Sequence, residues 1–252
     1  MCGAALATFV PIGVVPAPAQ SVRVERLLDR PIVAPDLHPS IGVNIQGPSV
    51  VRMPDWVEDR LGLYYLYFAD HKGRYIRLAY ADDLLGPWKI HPPGSLQIAE
   101  SQFLTEPPEI SDEEVARLTA ARSRSGAAAM SHDVRTEATT PHIASPDVHV
   151  DEANRRIVMY FHGLDGVSRQ VSRVATSTNG IDFSARPERL GRTYMRVFSH
   201  GGYTYAMSMP GQFYRSRSPL GGFEEGPRLF NGNMRHSALL QRGNTLFVFW
   251  TQ

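Results

Sequence analysis

Residues 142–161 read HIASPDVHVDEANRRIVMYF and contain two short strand patterns separated by a polar turn. Residues 145–150 alternate small or apolar side chains with polar ones, and residues 157–161 form an apolar run. Both patterns are typical of β-strands, and the polar residues 151–156 predict a tight turn between them. The stretch is therefore predicted to be a β-hairpin.

The same hairpin pattern recurs at three further places, residues 47–68, 195–207 and 236–250. In three of the four copies a third strand follows, turns at a glycine and closes on an aromatic residue, namely Trp88, Phe183 and Phe223. Ala206 follows Tyr160 by 46 residues, and Phe249 follows Ala206 by 43. A period of this size, built from short antiparallel strands, predicts an all-β fold with the blades of a β-propeller. An ordinary β-sandwich with similar hairpins is the alternative.

The bulk composition excludes several classes of function. The 252 residues are 42% hydrophobic and 20% charged, as in globular proteins with a substantial core. The formal net charge of +1 and the scattered arginines give no reason to expect a nucleic acid or an acidic membrane as partner. Beyond the N-terminal segment there is no uninterrupted apolar run of some 18 residues, so no membrane span is expected. The oligomeric state is not indicated.

The N-terminal segment resembles an export signal in part. Residues 1–20 are apolar and end in Ala17-Pro18-Ala19, a small-x-small cleavage pattern, but they lack a positively charged start. An export signal predicts an extracytoplasmic protein, periplasmic or secreted; the alternative is a disordered tail broken by prolines. Cys2 is the one cysteine, so the sequence provides no disulfide framework and no thiolate metal site.

The remaining chain, residues 21–252, is predicted to be a single propeller domain after a lead-in at 21–46. The predicted units are blade one (47–90), an insertion (91–141), blade two (142–185), blade three (194–228) and a partial blade four (235–252). Because the pattern stops within blade four, about four blades are expected, in a truncated or fragmentary product. Ring closure by the N-terminal segment or by another subunit is the alternative.

The insertion is predicted to be partly helical. Pro92-Pro93-Gly94 is expected to end blade one, and Ser111 to Glu114 has the sequence of a capping box. Val115, Leu118 and Ala121 follow at helical spacing and predict about three turns of helix. An insertion at this place lies on a propeller face, either as a lid over a central pocket or as a surface decoration.

The candidate site follows from the alignment of the four hairpins. The inner strand of each blade begins near the propeller axis, and the alignment puts residues 47–49, 145–147, 194–196 and 235–237 at equivalent places. The pocket residues predicted in this way are Asp147, Arg196, Arg235 and His236, together with the nearby His142. Asn44, just before the first blade, is also placed within reach of the pocket, with an ordinary polar loop residue as the alternative. Such a pocket is polar and mixed in charge, which suits a hydroxylated ligand such as a sugar, including an anionic one. A set of structural salt bridges around the axis is the alternative.

Four motifs carry a resemblance to a known family. They are GPSVVR (47–52), YYLYFADHKGRYIRLAYADDLLGPW (64–88), SPDVHVDEANRRIVMYF (145–161) and ATSTNGIDF (175–183). They resemble the five-bladed β-propeller glycosidases of the arabinanase, β-xylosidase and levansucrase superfamily, which includes glycoside hydrolase family 43. The resemblance covers residues 44–252 apart from the insertion. It implies a central pocket in which glycosidic bonds of plant or microbial polysaccharides and oligosaccharides are hydrolysed.

The resemblance also implies roles for particular positions. Blade one of the arabinanases and xylosidases opens with Asp-Pro-Ser, whose Asp is the general base, but this chain has Gly47 there. Asp147 matches the Pro-Asp or Pro-Glu motif of the second blade and is the candidate catalytic carboxylate. The family's general-acid Glu is provided neither by residues 194–196 nor by 235–236, while His236 resembles a pocket histidine of a late blade. A non-catalytic propeller that binds a carbohydrate or a protein is therefore the second hypothesis.

Glycoside hydrolysis by the common routes requires two carboxyl groups, about 5–5.5 Å apart for retention and about 6.5–9.5 Å apart for inversion. The candidates for the second carboxylate are Asp36, Glu106, Glu109, Asp133 and Glu137. His149 and Asp151 share a strand face with Asp147 and are expected further along the channel than the substrate. No cofactor is predicted, although a propeller pocket is compatible with a Ca²⁺ ion held by carboxylates and waters. Metal-ligand spacings, a phosphate loop and a nucleophile elbow are not found in the sequence.

Overall fold

The computed structural model describes residues 23–125, 132–230 and 234–250. Their strands form four antiparallel sheets, three of four strands and one of two, each built from strands that are consecutive in sequence. The first sheet contains β1 (Ile45–Arg52), β2 (Tyr64–Asp70), β3 (Tyr75–Ala81) and β4 (Lys89–Gln97). The second contains β5 (Ile143–Asp151), β6 (Arg156–Gly166), β7 (Arg169–Ser177) and β8 (Ser184–Ala185).

The third sheet contains β9 (Arg196–His200), β10 (Tyr203–Ser208), β11 (Gln212–Ser216) and β12 (Glu224–Arg228). The fourth contains β13 (Ser237–Arg242) and β14 (Thr245–Trp250). Two helices, α1 (Asp112–Ser125) and α2 (Val134–Thr139), lie between the first and second sheets. The sheets are propeller blades, and the predicted all-β propeller with a helical insertion is confirmed.

The second blade is buried on both faces because its neighbours cover it. Successive residues of a strand point to opposite faces. In β6, Ile157, Met159 and Phe161 pack into a core shared with the first blade. Val158 and Tyr160 pack into a second core shared with the third blade. This two-sided burial explains why 157–161 is a continuous apolar run rather than an alternating one.

Side chains at equivalent positions form hydrogen bonds between neighbouring blades, and we call these sets of contacts the inter-blade seams. Ser49 Oγ accepts a hydrogen bond from the backbone N of Val148 (2.9 Å), and the Asp147 carboxylate accepts one from the backbone N of Val197 (2.8 Å). Opposite these residues in the strand register lie Tyr67 and Tyr160. Their hydroxyls donate to carbonyls of the following blade, those of Gly180 and Pro219, at 2.6 and 2.7 Å. The seams support the alignment of the hairpins.

A second repeated feature precedes the seams. Gly47, Ser145 and Tyr194, which are equivalent in that alignment, all have positive φ angles, of 62°, 52° and 59°. The strand register shifts between Gln46 and Ser49 in β1 and between Ala144 and Asp147 in β5. The first two blades thus enter their inner strands through a bulge, a device that re-aims side chains at the rims of sheets.

The first blade is longer than predicted. It begins at Ile45, and β4 runs through Pro92, Pro93 and Gly94 to Gln97, beyond the predicted boundary at residue 90. Proline removes a backbone donor and is tolerated on an edge strand. Residues 92–95 lie in an irregularity between the paired residues His91 and Leu96, and β4 is the last of the described strands in its sheet, so these prolines interrupt no ladder.

The insertion differs from its prediction in detail. Helix α1 has 14 residues, about four turns rather than three. Ser111 Oγ accepts from the backbone N of Glu114 at 3.1 Å, as a capping box requires. The Glu114 side chain does not complete the box but pairs with Arg117. Helix α2 contacts the ends of two blades, since Glu137 pairs with Lys72 at 2.8 Å and the Ala138 carbonyl accepts from Ser168 N at 2.8 Å.

Two predictions concern chain ends. The export signal at residues 1–20 lies outside the described residues, and the fragment hypothesis stays a prediction. Within the described ranges, no helix combines the length and the apolar character that a membrane crossing requires.

Candidate functional site

Asp147 lies at the bulge of β5, and its carboxylate is engaged on several sides. Oδ2 accepts from the backbone N of Val197 and from Nε2 of His149, each at 2.8 Å. Oδ1 lies 3.7 Å from Nη1 of Arg196. Burial acts to raise the pKa of Asp147, but His149 and Arg196 hold it below its usual value. The carboxylate is therefore ionised at neutral pH and lacks the raised pKa of a general acid.

Arg196 connects three blades rather than facing open solvent. Its Nη1 donates to the carbonyl of Pro146 in the second blade at 2.6 Å, and its Nε donates to the carbonyl of Ser237 in the fourth at 3.0 Å. The side chain is buried. Arg196 was predicted to bind substrate, but these contacts engage two of its three nitrogens with backbone carbonyls, so the structural alternative describes Arg196 and Asp147 better.

Next to this pair runs a row of ring side chains that we call the histidine–tyrosine row, made of His142, His162, Tyr194 and His236. The ring centroids of His162 and His236 each lie 4.6 Å from that of Tyr194. His142 lies 6.2 Å from His162 on the other side. His162 is 2% exposed and His142 4% exposed, whereas His236 is half-buried and the adjacent Arg235 is exposed. The row thus extends from the interior to the surface.

Several buried polar atoms around this row have no hydrogen-bond partner among the described residues. They are Nδ1 of His162, Oγ of Ser145 and Oγ of Ser237. Buried polar atoms in proteins are almost always hydrogen-bonded, and an unpaired one carries a desolvation cost. Ser145 and Ser237 lie on inner strands, and His162 lies on β6 next to Tyr194. These three atoms make the region a candidate site for a hydroxylated ligand.

The imidazoles of the row are neutral at neutral pH. Burial lowers the pKa of His142 to about 4, and nearby Lys72 acts in the same direction. Burial also places the pKa of His162 well below its usual value. The pKa of His236 is lowered by burial and then by Arg235 and Arg196. A neutral imidazole both donates and accepts a hydrogen bond, which matches the hydroxyl groups of a sugar.

His142 predicts a specific acid sensitivity. The folded side chain has a pKa of about 4, below the ordinary value of 6.5, so the unfolded chain binds a proton in this window that the folded chain does not. The free energy of unfolding should therefore fall as the pH is lowered from 6.5 to 4, by about 3 kcal/mol for this residue. His142→Gln should show a shallower decline in urea unfolding measured across that range. His200→Gln, which changes an exposed histidine, is the control variant. If His142→Gln showed the same pH dependence as the parent, the lowered pKa of His142 would be contradicted.

Gly47 stands at the position for which the sequence resemblance implied an aspartate as general base. A Cβ atom built there would lie 2.7 Å from the Cα of Ser145, a backbone atom of the next blade. Contacts under 3.0 Å are essentially never made by real Cβ atoms. The close approach of the two blades, together with the positive φ, requires glycine.

The other residues predicted near the pocket make contacts of their own. Asn44 is exposed just before β1, with its backbone bonded to Asp70 and His71. His149 contacts Asp147 directly, and its place relative to a substrate stays a prediction. Asp151 accepts from Asn154 and Arg156 in the β5–β6 turn.

Of the candidate second carboxylates, Glu137 is the one that belongs to a cluster of charged and imidazole side chains. It pairs with Lys72 and lies near His71 and His132, whose rings stack at 5.7 Å. Burial acts to raise the pKa of Glu137, but Lys72 lowers it below its usual value. Asp133 caps α2 through Thr136. The remaining three, Asp36, Glu106 and Glu109, are exposed.

Within residues 23–125, 132–230 and 234–250, no group of three or more His, Cys, Asp and Glu side chains is arranged to hold a metal ion.

Sequence reasoning did not identify His162 or Tyr194 as site residues. His162 directly follows the apolar run of β6, and Tyr194 precedes an apolar methionine, so both looked like core residues. The available signal was positional. In the strand register His162 lies opposite Ala144, three residues before Asp147, and Tyr194 aligns with Ser145.

No protein-family model matches the chain. The chain is 30% identical over 235 residues to the uncharacterized protein R118 of Acanthamoeba polyphaga mimivirus, covering 83% of this chain and 59% of that protein. Among solved structures, an α-L-arabinofuranosidase of Clostridium thermocellum matches 83% of this chain and 61% of its own, with 17% identity and a TM-score of 0.51. A glycoside hydrolase family 43 protein of Bacillus licheniformis matches 85% and 38%, with 17% identity and a TM-score of 0.51.

The chain therefore spans less than two thirds of the length of these proteins. At such low identity the structural likeness concerns the fold. The chain has the fold of these glycosidase structures, and the predicted resemblance is confirmed at the level of the fold.

Proposed function

We propose that this chain is a saccharide-binding propeller whose ligand binds at the side chains of the histidine–tyrosine row. The observation that carries the proposal is a set of three buried polar atoms that lack a hydrogen-bond partner within the described part of the chain. One belongs to His162 of the row, and the others belong to Ser145 and Ser237. Ligand sites combine aromatic surface with a few convergent polar groups. Tyr194, which is 9% exposed, is the aromatic ring at the centre of the row, while the half-buried His236 and the exposed Arg235 supply polar groups at the outer end.

Binding without hydrolysis is the form that the geometry favours. Hydrolysis uses two carboxyl groups, one of them with a raised pKa. Among the described residues, Asp147 is an ionised carboxylate with three neighbouring donors, and position 47 has no space for a side chain. The site is instead dominated by imidazole, phenol and guanidinium groups, which are hydrogen-bonding groups for hydroxyls.

The proposal predicts a clear effect of His236. Its ring is half-buried against Tyr194, so truncation removes a ligand contact without opening the core. His236→Ala should weaken binding of the best ligand by about tenfold, the effect of about one lost hydrogen bond. The measurement is calorimetric titration of the parent with a panel of arabinan, xylan, galactan, fructan and mannan oligosaccharides, followed by titration of the variant.

His91→Ala is the matched control, because His91 is also partly buried but lies on β4, the edge strand of blade one. It should retain the affinity of the parent. Absence of binding across the whole panel, or equal affinities of His236→Ala and the parent, would refute the proposal.

Hydrolysis of plant or microbial glycans is the second candidate, favoured by the fold shared with an arabinofuranosidase. In that case the ionised Asp147 would act as a base or would stabilise positive charge in the transition state. Release of free sugars from the same panel by the parent, lost in Asp147→Asn with a parent-like circular dichroism spectrum, would establish hydrolysis. Saturable binding with no release would exclude it for the panel.

A further inference from the structure

A second concave surface lies away from the axis, at the outer edge of the third blade. It is a cavity of about 610 Å³, within the size range of small-ligand pockets. Arg186 and Glu188, which follow β8, form one wall. Tyr203, Arg215 and Arg217 form another wall, and none of the histidine–tyrosine row lines the cavity. We call it the arginine crevice.

Tyr203 organises two of the guanidinium groups. The Cζ atoms of Arg215 and Arg217 lie 4.8 and 4.5 Å from the centroid of its ring, and Arg217 also donates to its hydroxyl at 2.6 Å. Stacking on an aromatic ring limits the motion of a guanidinium while leaving its N–H edge available. Less conformational entropy is then lost when these groups bind an anion.

The crevice carries a net positive charge, because three arginines line it against two glutamates, Glu188 and Glu224. Among the described residues, Arg186, Arg215 and Arg217 form no ion pair within 4.0 Å. Glu188 accepts from the backbone N of Gly222 at 2.7 Å, and Glu224 stands opposite Arg215 in the strand register without pairing with it. Three guanidinium groups therefore face one concave surface with donors to spare, and a planar oxyanion matches their geometry.

We propose that the arginine crevice binds an acidic saccharide, a sugar that carries a carboxylate or a sulfate group. The remaining lining favours a sugar over an acidic peptide. Ser218 and two glycines present hydroxyl and backbone groups, whereas the buried Ser216 hydroxyl is bonded to Gly221 and Ser218. Leu220 is the single aliphatic side chain among the lining residues, and most of the lining is polar. A polyhydroxylated ring therefore finds more partners here than the apolar side chains of a peptide would. Binding in the arginine crevice is independent of ligand binding at the histidine–tyrosine row.

The test is calorimetric titration of the full chain at low salt with two probes, trigalacturonate and a sulfated disaccharide. We expect at least one to bind, and Arg215→Gln/Arg217→Gln to weaken that binding by about tenfold or more. The control is Arg52→Gln/Arg242→Gln, which removes two exposed strand arginines outside the crevice and the same net charge. This control and His236→Ala should both bind like the parent. Binding of one probe alone supports the site and identifies the anion.

Three results would overturn the inference. The first is absence of binding by both probes at millimolar concentration. The second is an equal loss of affinity in the control double variant, which would indicate general attraction to net charge. The third is binding of a short poly-glutamate as tightly as trigalacturonate and through the same two arginines, which would assign the crevice to acidic peptides.

Discussion

Gly47→Asp should destabilise the fold strongly and should not create a glycosidase. Position 47 has a φ of +62°, which L side chains rarely adopt, and a Cβ atom there would lie 2.7 Å from the Ser145 backbone. The strained backbone and the displaced neighbouring blade together should cost about 3 kcal/mol or more. Urea unfolding of the variant and the parent, and an assay for sugar release, provide the measurement.

Gly201 allows the two contributions to be separated. It has a similar φ of +56°, but a Cβ atom added there meets nothing within 4 Å. Gly201→Ala should therefore report backbone strain alone, about 1 kcal/mol. Gly47→Ala should cost clearly more, because it adds the contact with Ser145. Equal losses in the free energy of unfolding for Gly47→Ala and Gly201→Ala, or sugar release by Gly47→Asp, would show that position 47 has space for a side chain.

Arg196→Met should lower the free energy of unfolding by about 3–5 kcal/mol, as expected when one member of a buried charged pair is removed. The substitution leaves the carbonyls of Pro146 and Ser237 without their donor. It also removes the positive charge 3.7 Å from Asp147, which remains partly buried. Methionine retains much of the aliphatic volume, so lost packing contributes little.

Arg235→Met is the matched control, because Arg235 also belongs to an inner-strand start but is exposed. Its effect on unfolding should stay within about 0.5 kcal/mol, as is usual for surface substitutions. Thermal and urea unfolding of both variants decide the matter. Similar losses in the two would show that the contacts of Arg196 do not stabilise the junction of the three blades.

Strand positions and blade order could be predicted because they depend on local pattern. Short alternating or apolar runs define β1, β5 and β13, and the recurrent order of hairpin, turn and aromatic residue indicated the propeller. Even the equivalence of Ser49 and Asp147 could be predicted, since both stand two residues after the turn into an inner strand.

The contents of the site depend on contacts between blades, which a local pattern does not encode. Asp147 reads as a catalytic carboxylate in sequence, yet its partners Arg196 and Val197 come from the next blade. His162 appears to belong to the core of β6 until Tyr194 and His142 are placed beside it. The length of β4 was missed for another reason. Its prolines mark an ending in sequence, but they are tolerated where the strand has no ladder partner.

The inter-blade seams are asymmetric along the chain. Between blades one and two and between blades two and three, the side chain always belongs to the earlier blade and the backbone group to the later one. Examples are Ser49 with Val148 and Tyr160 with Pro219. A ribosome delivers the earlier blade first, and N-terminal units generally fold first during synthesis. Each emerging blade thus meets a neighbour that already displays the hydroxyl or carboxylate it needs, so the chain can assemble in the order in which it is made.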